Sequence, residues 1–218
     1  MKEYKKIIIS PHIDDEILGC FSVIKDALVI ECGVDDFHIV SREERIQEIT
    51  RASEKYSFDF ILLENCVNHY ELMNLIDPLS ELINKYKPEM VFIPYPSYNQ
   101  DHRTVYEACN VALRPHDINH FVKKVLVYEE CQVFLWDYTH NINGSFHPNY
   151  FVPLNIDEKL DAYQTLASQV RSFRSPELLK NIAFCRGNQS NTEYAEGFQV
   201  LRWIDWKIFY SVDIEIGL

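Results

Sequence analysis

Short apolar runs of strand length alternate with longer amphipathic segments through the first 130 residues. The runs are "KKIIIS" (5–10), "ALVIEC" (27–32), "DFILLE" (59–64), "EMVFIP" (89–94) and "VKKVLVYEE" (122–130). Rich in Ile, Val and Phe, they read as strands, and the alternation predicts βαβ units and therefore an α/β fold. "IIIS" and "MVFIP" are continuously apolar rather than alternating, so both of their faces are buried, which places them in a parallel sheet covered by helices.

Between the second and third runs, "SREERIQEITRASEKY" has Ser41 and Glu44 at the spacing of a capping box, which predicts a helix from that point. "DPLSELINKY" predicts another, with Asp77 as N-cap and Pro78 in the first turn, ending before Pro88. "DHRTVYEACNVAL" reads as a third. In the C-terminal part, "NIDEKLDAYQTLASQVRSF" (155–173) and "PELLKNIAFCRG" (176–187) read as helices and "FQVLRWI" (198–204) as a strand. No repeat, low-complexity tract or Gly/Ser linker divides the chain, so a single domain over residues 1–218 is expected.

Composition narrows the function classes. The chain is 47% hydrophobic and 25% charged, an ordinary globular balance. Its formal charge of −12 repels a phosphate backbone, so nucleic acid is not expected as a partner. Six cysteines, at 20, 32, 66, 109, 131 and 185, form no C-x-x-C pair and no dense framework, and are read as reduced core residues. The N-terminal "MKEYKKIIIS" is too short in apolar length for a signal peptide or membrane span, which predicts a cytoplasmic protein; the N-x-S sequons at Asn143 and Asn188 then carry no meaning.

The candidate chemistry lies at two strand ends. Directly after the first run comes "PHIDDE", with His12, Asp14, Asp15 and Glu16; after the fourth comes "YPSYNQDHRTV", with Tyr98, Asn99, Asp101 and His102. The carboxyl ends of strands in an open α/β sheet form its ligand crevice, so both loops should face one space. Two imidazoles and one carboxylate, with a position open to water, suit a catalytic zinc, and His12, Asp15 and His102 provide that set for one cation per chain. Asp14, beside a ligand but pointing elsewhere, is the candidate general base for water acidified by the metal. A plainer reading places the three carboxylates at a helix start, where they favour the dipole; it accounts for Glu16 as structural support but not for His12.

These residues match a known pattern. "PHIDDE" resembles the A/P-H-x-D-D-E motif of the PIG-L deacetylase family (LmbE-like proteins), and "NQDHRTV" resembles its second motif, usually H-x-D-H with Arg following. "RIQEITRASEKY" is similar to the family's R-x-x-E-x-x-x-A helix, and "AYQTLASQV" and "YAEGFQVLR" to its Y-x-S-Q and A-E-x-F segments, all in the same order. The resemblance implies a Rossmann-like three-layer sandwich and zinc-dependent hydrolysis of an N-acyl group, usually from an N-acetylglucosamine unit on a lipid, inositol or other carrier. Carried over by position, His12, Asp15 and His102 would hold zinc, Asp14 would be the base, and Arg45 would contact the sugar. Arg45 reads equally as a solvated helix arginine paired with Glu44 or Glu48.

The departures concern the second motif and the first helix. Asn99 stands where many members have a histidine; its amide can donate a hydrogen bond to a developing oxyanion but cannot bring a positive charge. Tyr98 could donate from its phenol or form a wall. Of the glycines that usually follow the first motif, "GCFSVIKD" keeps Gly19 alone. Asp101 reads first as a helix cap and second as a partner orienting a ligand imidazole.

Other histidines are weaker candidates. His116 and His120 have an i, i+4 spacing but no H-E-x-x-H glutamate, and His38, His69, His140 and His147 lack a partner pattern, His69 alone being near a strand end. There is no G-x-G-x-x-G, Walker A loop or G-x-S-x-G elbow. Arg171, Arg174 and Arg186 could meet an anionic carrier. The expected activity is zinc-dependent removal of an N-acetyl group from a small-molecule or carrier-linked amino sugar. The alternatives are an amidase of a larger amide or thiol conjugate, and a non-catalytic metal- and sugar-binding protein.

Overall fold

A computed structural model describes residues 2–34, 40–115, 121–136 and 146–205; His38, His116, His120, His140 and the Asn143 sequon lie outside the described residues. Five strands are parallel: β1 (Lys6–Ser10), β2 (Leu28–Gly33), β3 (Asp59–Asn65), β4 (Met90–Pro94) and β5 (Lys124–Tyr128). Two more, β6 (Tyr150–Pro153) and β7 (Ala195–Trp203), extend the sheet antiparallel, giving the order β3-β2-β1-β4-β5-β7-β6. The helices are α1 (Asp15–Cys20), α2 (Arg42–Tyr56), α3 (Leu72–Tyr86), α4 (Gln100–Ala112), α5 (Cys131–Trp136), α6 (Ile156–Thr165) and α7 (Pro176–Ser190).

The apolar runs explain the layering. Successive strand side chains point to opposite faces, so Ile7 and Ile9 of β1 join Leu75, Leu79 and Ile83 of α3 and Val105 of α4 in one core. Ile8 joins Ile17 of α1, Ile49 of α2, Ala162 of α6 and Leu179 of α7 in the other. This is the three-layer, mostly parallel sandwich expected. All five predicted parallel strands are present.

The sheet order reverses between β1 and β4, since the chain moves outward through β2 and β3 and then returns to the other side of β1. Loops leaving two adjacent strands in opposite directions open a crevice at their carboxyl ends. The His12 and His102 segments leave from those two ends. Gly19 fixes how closely α1 lies against the end of β5: a Cβ there would run into the Tyr128 ring and sit 2.7 Å from the Glu129 carbonyl oxygen.

Three expectations change. Helix α3 starts at Leu72, so Asp77 is not its N-cap and Pro78 lies inside it. An interior proline costs roughly 3 kcal/mol, but Leu75, Leu79 and Ile83 are buried on this helix, and each such side chain contributes roughly 1.5–3 kcal/mol. The predicted helix over 155–173 ends at Thr165 and gives way to a 3-10 turn at Ala167–Gln169. The Ser168 amide and hydroxyl donate to Glu48 at 2.8 and 2.5 Å, which pins that turn and brings residues 169–174 toward the crevice. Finally, all six cysteines are free, but Cys66 and Cys185 are exposed rather than in the core.

Candidate metal centre and active site

The loop after β1 makes an unusual turn. Asp14 has φ 143° and ψ −26°, a backbone conformation that costs a non-glycine residue about 1–3 kcal/mol. Local bonds hold it there: its N–H donates to Glu16 Oε2 at 2.8 Å, and its carbonyl accepts from Ile17 and Leu18. Glu16 is therefore the structural support expected of it. The turn sends the two adjacent aspartates to different partners, Asp15 to the imidazoles and Asp14 to Arg174.

Asp15 Oδ2 lies 3.4 Å from His12 Nδ1 and 3.2 Å from His102 Nε2, and the His12 amide donates to it at 3.1 Å. The two imidazole centroids are 5.2 Å apart. Ligand atoms of His12, Asp15 and His102 all lie within 4.8 Å of one another, the one such group of metal-ligating type among the described residues. The predicted triad is thus brought together from two strand ends. Nearby, the Tyr70 hydroxyl donates to the Pro11 carbonyl at 2.6 Å and ties down the His12 loop.

Asp101 is not the helix cap. Asn99 is the N-cap of α4, its Oδ1 accepting from the Asp101 amide at 2.8 Å. Asp101 is fully buried and its Oδ2 meets His12 Nε2 at 3.0 Å while accepting from the Asn68 amide at 2.6 Å. Fixing Nε2–H in this way leaves Nδ1 as the nitrogen directed to the triad. Asn99 Oδ1 accepts in the cap, and the amide N–H group of this cleft-lining residue is a neutral donor.

The cleft has a volume of about 230 Å³ and a mainly polar lining that includes Asp14, Tyr98, Asn99, Glu130, Arg171 and Arg174. Arg174 Nη1 is 2.8 Å from Asp14 Oδ2. Arg186, by contrast, pairs with Glu129 away from the cleft. Arg45 is 4% exposed, so it is not a solvated helix arginine. It does not line the cleft, although its charge acts on Asp14. His69 is exposed and outside the lining; Val67 and Asn68 of the same loop take part instead.

Buried carboxyls dominate the electrostatics. Burial pushes Asp14 up to about 6, with Arg174 pulling it back and Asp15 adding to the rise. Burial would also raise Asp15, but both histidines outweigh it and hold the carboxylate far below its ordinary range. Burial alone would lower His12, yet Asp101 and Asp15 raise it to about 10. His102 rises for the same reason, against its own burial, through Asp15 and Glu130. Glu130 is pushed by burial to about 7, with His102 opposing. Burial, with a contribution from Glu130, keeps the Tyr98 phenol protonated well above its ordinary value, so it can act as a donor.

These features test whether a divalent cation fits. Asp15 and Asp101 both face His12, and Asp15 also faces His102, so the carboxylates favour positive charge at this point. A cation bound by His12 Nδ1, Asp15 and His102 Nε2 would supply it, and two nitrogens plus one carboxylate oxygen are a donor set suited to zinc. The residues present fit the metal.

No protein-family model matches the chain, and no curated protein does. Solved structures do. N,N'-diacetylchitobiose deacetylase from Pyrococcus horikoshii is 21% identical over 91% of this chain and 84% of its own, with a TM-score of 0.70. The zinc-inhibited form of teicoplanin deacetylase Orf2 is 15% identical over 92% and 99%, with a TM-score of 0.67. The fold is that of the PIG-L (LmbE-like) deacetylases. The PIG-L fold is not confined to deacetylation: GalB, the 4-carboxy-2-hydroxymuconate hydratase from Pseudomonas putida KT2440, matches at 18% identity over 94% and 98%, with a TM-score of 0.72. Function on a PIG-L fold therefore has to be argued from the site.

Sequence reasoning missed three contributors. Glu130 ends the fifth apolar run, two residues past the last residue of β5, and a third use of the strand-end rule would have found it. Gln169 and the Arg174–Asp14 pair depend on where the chain turns after α6, for which no local signal exists.

Two outcomes follow. Asp101→Asn, which keeps the shape but weakens the hydrogen bond orienting His12, should reduce zinc affinity roughly 10–100-fold in chelator competition, with little change in thermal stability. Glu31, fully buried on β2, makes no side-chain hydrogen bond of normal geometry, and burial together with Glu16 raises its carboxyl well above the ordinary range. The folded state keeps that proton while the unfolded chain releases it above about pH 4.3. The contribution of Glu31 to stability is therefore fully present at low pH and is lost as pH rises toward its folded-state titration, with a slope of about 1.4 kcal/mol per pH unit for the proton retained. Urea melts of metal-free protein between pH 5 and 8 should show a slope in Glu31→Gln that is shallower by that one proton; an unchanged slope would mean Glu31 is ionised in the fold.

Proposed function

We propose that this protein belongs to the PIG-L family by descent as well as fold, and is a metal-dependent hydrolase that removes an N-acetyl group from a carrier-linked amino sugar. The observation that carries this reading is the convergence of His12, Asp15 and His102 beside an Asp14 that faces the same cleft but is held by a different partner. Zinc is the cation proposed; when bound it acidifies water and polarises the acyl carbonyl. The overall reaction takes one water and one amide to acetate and a free amine.

The chain's own groups have separable roles. Asp14 accepts the proton of the attacking water, and the Arg174 guanidinium keeps it sufficiently acidic to be ionised near neutrality. The Asn99 N–H and the Tyr98 O–H are neutral donors on the cleft wall, placed to hydrogen-bond the acyl oxygen as negative charge develops. Once protonated, Asp14 can return the proton to the departing nitrogen, which makes a single-base mechanism. Arg45 acts on Asp14 from outside the cleft, and we assign it no direct hold on the sugar.

Acetate release from zinc-loaded protein, measured on N-acetylhexosamines free and carrier-linked and on longer acyl or conjugate amides, tests the reading. Asp14→Asn should slow turnover roughly 10²–10⁴-fold while zinc stoichiometry and sugar affinity stay unchanged. Turnover of the longer amides alone would identify an amidase instead; sugar binding without acetate release over hours would identify a binding protein.

Arg174 gives a sign that can be checked by pH. Asp14 is the base only when ionised, so rate rises with pH through its titration, and Arg174 lowers that titration. Arg174→Gln should therefore move the acid limb of kcat/KM to higher pH than in the wild type, by about one pH unit or more, and Arg174→Lys should move it less. A limb that stays in place would remove Arg174 from control of the base.

A further inference from the structure

Two adjacent glutamates follow β5 and go to different places. Glu129 turns to Arg186, whose Nε donates to its Oε2 at 2.8 Å. Glu130 is 5% exposed and lines the cleft with Asp14, Asp15 and His102. Its charge reaches His102, and those of Asp15, Asp14 and Arg174 reach it, so it sits beside the reacting centre. It is nevertheless not one of the metal-ligating group. A buried carboxyl without a partner is costly. The other carboxylates and amides of the lining each have an oxygen that meets a donor at 3.3 Å or closer: Asp14 with Arg174, Asp15 with the His12 amide, Asn68 with Gln100, Asn99 with the Asp101 amide, and Gln169 with Arg174. Among the described residues the Glu130 side chain has only the Ser97 hydroxyl, at 3.5 Å, beyond the range of about 2.5–3.0 Å usual for an O–H···O bond.

We infer that Glu130 contacts the substrate: its carboxyl accepts the N–H of the scissile amide and so orients the nitrogen that leaves. The inference rests on the proposed deacetylase reading and deepens it. A secondary amide entering the cleft brings an acyl oxygen, which needs donors, and an N–H, which needs an acceptor. Asn99 and Tyr98 are the donors. Glu130 is the acceptor still lacking a close partner, and a carboxyl keeps an accepting oxygen whether ionised or protonated. As the water oxygen bonds to the acyl carbon, the C–N bond breaks with its electron pair left on nitrogen, and that pair takes the proton Asp14 removed from the water. Glu130 neither gives nor takes a proton. By holding the N–H it fixes rotation about a nitrogen that is becoming pyramidal, so the emerging lone pair points away from Glu130 and is available to Asp14.

The test compares kcat/KM on N-acetylglucosamine and on the same sugar with an O-acetyl group in place of the N-acetyl group, an ester that has no N–H. Zinc-loaded wild type, Glu130→Ala and Glu130→Gln are assayed on both. Glu130→Ala should lower amide turnover about 10–100-fold, the scale of a hydrogen bond to a charged group, while ester turnover stays within about twofold. Glu130→Gln keeps an accepting oxygen, so its loss on the amide should be at least about threefold smaller. Zinc affinity in chelator competition should be the same in all three proteins. Unchanged amide turnover in Glu130→Ala overturns the inference, as does an equal loss on amide and ester, which would give Glu130 a structural role or a sugar hydroxyl to hold. Weaker zinc binding would make it a metal ligand, and a Gln variant as slow on the amide as Ala would make it a proton donor; either outcome also overturns it. Acetate release by wild type reports on the deacetylase reading separately. Were none released from either substrate, calorimetric titration still decides: about tenfold weaker binding of the N-acetyl sugar to Glu130→Ala, with the O-acetyl sugar bound equally, supports the contact, and equal affinities for the N-acetyl sugar overturn it.

Discussion

More carboxyl groups are buried around the cleft than the cations beside them can neutralise, and most of the local structure answers that constraint. Burying an unpaired carboxylate is costly enough that the group pairs, protonates or finds a cation. All three responses occur here. Asp14 pairs with Arg174, Glu31 and Glu16 keep their protons, and Asp15 lies between two imidazoles whose own titrations are driven up. A divalent cation at His12, Asp15 and His102 would supply positive charge at the same place, so its binding would be linked to the stability of the fold.

The fold supplies the geometry for this concentration of charge at a modest backbone cost. Alternation along β1 sends Ile7 and Ile9 into one core and Ile8 into the other, so the strand is anchored on both faces before it reaches His12. That anchoring lets the next residues take a strained turn: positive φ at Asp14 is tolerated because Glu16 and the first amides of α1 satisfy its backbone. The close seat of α1 against Tyr128, which only the absent Cβ of Gly19 permits, keeps β5 and hence Glu130 beside the same cleft.

Much of this was legible in the sequence, and the limits have physical causes. Apolar runs marked the parallel strands because burial on both faces leaves no room for polar positions. Residue type at two strand ends marked the triad, because few environments other than a metal ask for two histidines and an aspartate together. In "YNQDH" the choice between Asn99 and Asp101 as cap was not legible, since either side chain can accept an amide proton; tertiary contact with His12 and Asn68 decided it. Helix α3 outran its proline signal because its apolar stripe begins upstream of Pro78. The helix drawn to residue 173 stopped early because Glu48, distant in sequence, holds Ser168. Strand β6 and the antiparallel edge gave only a short, partly exposed pattern.

The hydratase of the same fold sharpens what distinguishes one chemistry from another on this scaffold. A hydratase and a deacetylase by name share this fold, so neither the sheet nor the switch point selects the reaction. Selection has to come from the groups facing the substrate's changing charge. In this chain a neutral amide, Asn99, stands where the resembled pattern usually has a histidine, and its oxygen accepts an amide proton in capping α4. What remains toward the cleft is a donor without charge, next to a phenol that burial keeps protonated. On the proposed deacetylase reading, two neutral donors would stabilise an oxyanion less than an imidazolium does, which would make the His12, Asp15 and His102 group the more important to the reaction. On that reading the neutral amide at Asn99 and the negative charge around Asp15 would be complementary: the position beside Tyr98 offers no charge of its own, and the carboxylate between two imidazoles is where a cation would be held.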